Sequence, residues 1–63
     1  MNPSIGRIVH YHDDKGKALA AVIVAVVDDV VNLAVWNEFG HQFHVLNVKH
    51  GEEPGEWNWP PRV

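Results

Sequence analysis

The sequence predicts an all-β domain, either a small SH3-like barrel or a strongly bent antiparallel meander of four to five strands. Three observations lead there. β-Branched and aromatic residues gather in short runs, and such side chains pack well on a pleated surface. Clusters of Asp, Asn and Gly separate the runs, as turns require. The runs are closely spaced, as in small barrels and meanders.

Ile5 to Tyr11 reads as the first strand, and His12-Asp13-Asp14-Lys15-Gly16 as a turn. Lys17 to Val27 is the second element. Its start, Lys17 to Ala21, has helical propensity, but Val22 to Val27 is strongly β-branched and leads through Asp28-Asp29 directly into another β-rich run. It is therefore assigned as a strand. Val30 to Trp36 is the third strand and Asn37-Glu38-Phe39-Gly40 the next turn. Gln42 to Val48 is the fourth. Phe43 and Val45 fall on one face but Leu46 and Val48 on the other, which predicts a bulge or twist near His44. Trp57-Asn58-Trp59 alternates and should set both indoles over something apolar, and Pro60-Pro61 stops further pairing. The expected core is Ile8, Val22, Val24, Leu33, Val35 and Val45.

The second strand is apolar on both faces, with Leu19, Ala21, Ile23, Ala25 and Val27 on one and Val22, Val24 and Val26 on the other. An antiparallel sheet normally turns one polar face to water. One face is therefore expected on the monomer core and the other on a neighbouring subunit in a homo-oligomer. The alternative is that the C-terminal Trp segment covers the second face.

At 63 residues the chain forms one domain. A domain near this size buries only about 60% of its unfolded surface and is marginally stable. There is no Cys, so disulfides cannot add support. The net charge is −3, and the five cations Arg7, Lys15, Lys17, Lys49 and Arg62 are scattered, which argues against binding duplex nucleic acid. The longest apolar run, Ala18 to Val27, has ten residues; a membrane-spanning helix needs roughly 20. Met1-Asn2-Pro3-Ser4 lacks the charged and apolar segments of a signal peptide. A soluble, cytoplasmic protein is expected.

Two stretches carry a resemblance: Pro3-Ser4-Ile5-Gly6-Arg7-Ile8-Val9-His10-Tyr11 at the start and Pro54-Gly55-Glu56-Trp57-Asn58-Trp59-Pro60-Pro61-Arg62 at the end. Together they resemble small proteins encoded by bacteriophages and prophages, which open with an I-G-R-I-V-H-Y-like strand and close with a W-x-W-P-P/E-R-like tail. Val30-Val31-Asn32-Leu33 fits more loosely. This chain is short for that group, with abbreviated inter-strand loops. The resemblance implies a phage origin, hence an infected bacterial host, and a compact domain.

Catalytic chemistry finds little material. Ser4 is the one Ser, and Cys and Thr are absent, so no nucleophile–base–orienter set can be assembled. Asp28-Asp29 and Glu52-Glu53 sit in turns and read as solvated pairs. The five glycines are isolated, so there is no phosphate loop. Of the histidines, His10 and His12 share a strand face, while His41 and His44 do not. No recognised zinc spacing is present. A non-enzymatic protein without metal or cofactor is expected.

The aromatic residues Tyr11, Trp36, Trp57 and Trp59, with Phe39 and Phe43, are numerous for this length. A small domain can use them as core, or as a stacking platform for a planar ligand such as a nucleobase. In the second use Arg7 and Arg62 would hold phosphate, and His10, Asn32 and Asn58 would read base edges. The expected ligand-binding set is Arg7, His10, Tyr11, Trp36, Trp57, Trp59 and Arg62. The leading functional expectation is an oligomeric phage protein that sequesters a small nucleotide, such as a host immune signal, at a subunit interface. The competing one is an interaction module that inhibits a host protein or acts in virion assembly, with Trp36 and Trp59 as anchors.

Overall fold

The computed structural model describes residues 2–61. Arg62 lies outside them. Five strands form one antiparallel sheet: β1 (Ile8–His12), β2 (Ala18–Val27), β3 (Val30–Trp36), β4 (Gln42–Lys49) and β5 (Trp57–Asn58). The sheet order is β4-β3-β2-β1-β5, so β1 to β4 form a meander and the fifth strand returns to pair with β1. A bridge between His50 and Trp57 ties β5 to the chain just after β4, and the sheet curls into a half-barrel. This is the all-β, strongly bent architecture that the residue pattern predicts. Among the described residues no helix is long and apolar enough to cross a membrane.

The β1–β2 and β3–β4 turns lie at one end of the meander and use the same device. Asp13 Oδ1 accepts from the Lys15 and Lys17 amides at 2.9 and 2.8 Å. Asn37 Oδ1 accepts from the Phe39 and His41 amides at 2.9 and 3.0 Å. A short polar side chain thus replaces backbone partners, and Gly16 and Gly40 supply the positive φ, 80° and 82°, that closes each turn. Lys17 and Glu38 form an ion pair between the two turns. That contact raises the Lys17 pKa and lowers that of Glu38.

At the opposite end, only Asp28 and Asp29 separate the paired residues Val27 and Val30. Asp28 has φ +55°, a left-handed conformation that Asp and Asn tolerate better than bulkier residues.

Both bulges in the sheet fall opposite the middle of β3. The β2–β3 register shifts between Ile23 and Ala25, and the β3–β4 register shifts between Val31 and Leu33. Asn32, paired with Ala25, lies between the shifts. Asn47, at φ +58°, is in the β4 bulge, and its N–H donates to Asn32 Oδ1 at 3.0 Å. The predicted β4 irregularity is therefore real but sits at Leu46-Asn47 rather than near His44. Two bulges in line bend the sheet, so it can wrap around a core with little chain.

The concave face holds that core: Val9, Leu19, Ala21, Ile23, Val31, Leu33, Val35, Val48 and Trp57, with Tyr11, Val45 and Trp59 packed on it. Leu33 and Val35 are core as expected, and Val45 is partly buried. Ile8, Val22 and Val24 are not. Ile8 is 66% exposed, Val24 is 49% exposed and Val22 is half-buried. The bulge at Val24 explains the correction. An unbroken ladder from Val27–Val30 would set Val24 against Leu33 and Val22 against Val35, on the core face. The bulge pairs Ile23 with Leu33 and Ala21 with Val35 instead, and a one-residue shift moves every side chain to the other face. Ile8 pairs with Val22 and goes with it.

Both indoles of the C-terminal segment pack on the concave core. They do not cover the convex face, where Ile8, Ala20, Val24 and Leu46 remain exposed.

Candidate functional site

A pocket of about 330 Å³ opens beside Trp57 and Trp59, within the size range of ligand sites. Three parts of the chain build it. Asp28, Asp29, Val30 and Val31 come from the β2–β3 tip, Asn2 and Pro3 from the N-terminal segment, and His50, Trp57 and Trp59 from the region where the half-barrel is tied together. β1 pairs with β2 as far as Val22, and Ile23 exchanges backbone hydrogen bonds with Gly6 and Arg7 just before β1.

The aromatic wall is held firmly. Trp57 and Trp59 meet edge to face, with ring centroids 5.2 Å apart and an interplanar angle of 84°, a preferred aromatic geometry. The His50 ring lies 4.7 Å from that of Trp57. Asn58 Oδ1 lies 3.0 Å from His50 Nε2 and accepts from the Trp59 amide at 2.8 Å. Gly51 donates its N–H to the Trp57 carbonyl at 2.9 Å. Trp57 is 2% exposed, and its buried indole N–H has no acceptor within the described structure. Trp59 is half-buried and presents ring surface to the cavity. Among the described residues the pocket is lined by two carboxylates and by no Lys or Arg.

The structure divides the sequence-predicted site residues between two faces. Tyr11 pairs with Trp57 and packs on the concave core with both C-terminal indoles. His10 is on the opposite face of β1, paired with Ala20, which is in turn paired with Trp36. Trp36 lines a separate recess of about 180 Å³ with Lys17 and Glu38. Arg7 is exposed and belongs to neither recess. Trp57 and Trp59 thus share a cavity, and Trp36, His10 and Arg7 are not part of it.

The sequence reading missed Asp28, Asp29 and His50 as pocket walls. The acidic pair reads as an ordinary solvated turn, and no local pattern says that the tip folds toward the C-terminal indoles. Among the described residues no three His, Asp or Glu side chains are placed to hold one metal ion. Comparison with family models, curated proteins and solved structures finds no match.

Proposed function

We propose that this chain is a non-enzymatic binding module of phage origin that holds a small ligand in the pocket beside Trp57 and Trp59 and works as a homo-oligomer. The carrying observation is the pocket itself, about 330 Å³ with the half-buried Trp59 on its wall. Lack of a nucleophile set and the phage-like terminal stretches support the rest of the reading. The subunit partner is a second copy of the chain. β2 and β3 contain no charged residue, and their convex side exposes Val24 and Trp36. A contiguous apolar patch of this kind is characteristic of an interface, and a two-fold axis would pair the patch with itself.

Nucleotide sequestration, as an anti-defence activity, is the second reading. It is favoured by the exposed part of the Trp59 ring, which offers a base a stacking surface. Its phosphate would depend on Arg62, since the charged groups on the described pocket wall are carboxylates.

Native mass spectrometry of protein purified from cells tests both parts. An oligomer carrying extra mass is the expected result, and the mass names the ligand class. A monomer at micromolar concentration would overturn the oligomer reading. A ligand-free spectrum, with no gain on adding candidate small molecules, would overturn the pocket reading.

A further inference from the structure

Resting on the reading of the Trp57–Trp59 pocket as a ligand site, we infer that its ligand carries a cationic, alkylated ammonium group. The wall combines two neighbouring carboxylates, Asp28 and Asp29, with the indoles of Trp57 and Trp59 and with Val31. Neither carboxylate has an ion-pair partner among the described residues. A phosphate or carboxylate ligand would meet like charge here. A cation meets opposite charge together with the electron-rich faces of indoles, which attract cations within about 6 Å of the ring centroid.

The apolar content of the wall narrows the class. A bare ammonium is strongly hydrated and loses much on leaving water. N-methyl groups spread the charge and give the cation an apolar surface, which suits indole and valine. The β2–β3 turn positions the carboxylates without any need for a flexible arm, because only two residues join the strands. The indole N–H of Trp57, a buried side chain of the same wall, has no acceptor among the described residues.

The test uses the full chain and three probes: choline, its neutral isostere 3,3-dimethylbutan-1-ol, and adenosine monophosphate. The indole N–H signals are followed by ¹⁵N–¹H NMR, with Trp36 on the other face as internal control. Choline should move the Trp57 and Trp59 signals and leave Trp36 in place, binding about tenfold more tightly than the isostere. Replacing Asp28→Asn and Asp29→Asn together should weaken choline about tenfold; Asn tolerates the positive φ at position 28, and the spectrum itself reports whether the fold is kept. Equal binding of choline and its isostere, or no loss in the double variant, would overturn the cation inference while leaving the pocket reading intact. Tighter binding of adenosine monophosphate would overturn it in favour of a nucleotide. If none of the probes moves Trp57 or Trp59, the cation inference fails and the pocket reading fails with it.

Discussion

The two faces of β2 are made of the same kinds of residue and have opposite fates. Leu19, Ala21 and Ile23 are buried on the concave side, while Ala20 and Val24 are exposed and Val22 half-exposed on the convex side. Hydrophobicity does not separate them; the curl of the sheet does. A sheet bent over two aligned bulges encloses one face and leaves the other convex and open, and the described residues form no second layer over it.

The comparison can be broken most severely from inside. Ile23→Ala should cost about 2–5 kcal/mol, which is most of what so small a core supplies. Urea unfolding followed by circular dichroism should find this variant largely unfolded, whereas Val24→Ala, one residue along, stays folded. Near-equal losses at the two positions would mean that the faces are not distinct.

Removing the device that bends the sheet comes next. Asn32→Ala deprives the exposed Asn47 amide of its acceptor and should cost about 0.5–1.5 kcal/mol, seen as a lower urea midpoint. Asn47→Gly should be nearly neutral, because glycine takes the positive φ without strain.

Ile8→Lys with Val24→Lys sharpens the contrast from outside. Each side chain is largely in water in the single chain, so the fold should change by no more than about 0.5 kcal/mol per site. Sedimentation velocity should nevertheless show the proposed homo-oligomer reduced to monomers. A double variant that still assembles would place the interface elsewhere.

The smallest effect belongs to the Lys17–Glu38 pair, which joins two turns. Both groups are solvent-exposed, and such pairs contribute little. Lowering of the Glu38 pKa gives a contribution that is present above the ordinary carboxylate range and lost as pH falls through the lowered value. Raising of the Lys17 pKa gives one that is present below 10.5 and lost as pH rises through the raised value. Thermal melts of Lys17→Met and wild type should differ slightly at neutral pH and low salt, and coincide in acid or in high salt.

Strand positions were legible because β-branched runs and Asp/Asn/Gly turns mark them locally, except at the start of β1, where Ile5 and Gly6 form a turn and the strand begins at Ile8. Facing was legible only in β3, where polar Asn32 stands against Val31, Leu33 and Val35. In β2 both alternating sets are apolar, so facing depends on register, and register depends on one extra residue at Val24 that no local signal announces. The same holds for the site. Trp57 and Trp59 are conspicuous as a pair, but Asp28, Asp29 and His50 join them through the path of the chain in space. Arg7, His10 and Trp36 look equally suitable in sequence, yet parity and turn position lead them elsewhere.

β5 is only two residues long, yet it masks the outer edge of β1 and is stitched to the end of β4 through His50 and Gly51. It acts as a latch. If the latch is lifted, by truncation before Trp57 or by transient release, the backbone amides and carbonyls of β1 become a template for another strand. The natural donor is the same two-residue segment from a second copy, already matched to its register. Exchange of tails between copies would then link subunits without any new contact, and the Trp57–Trp59 pocket would be assembled from two chains.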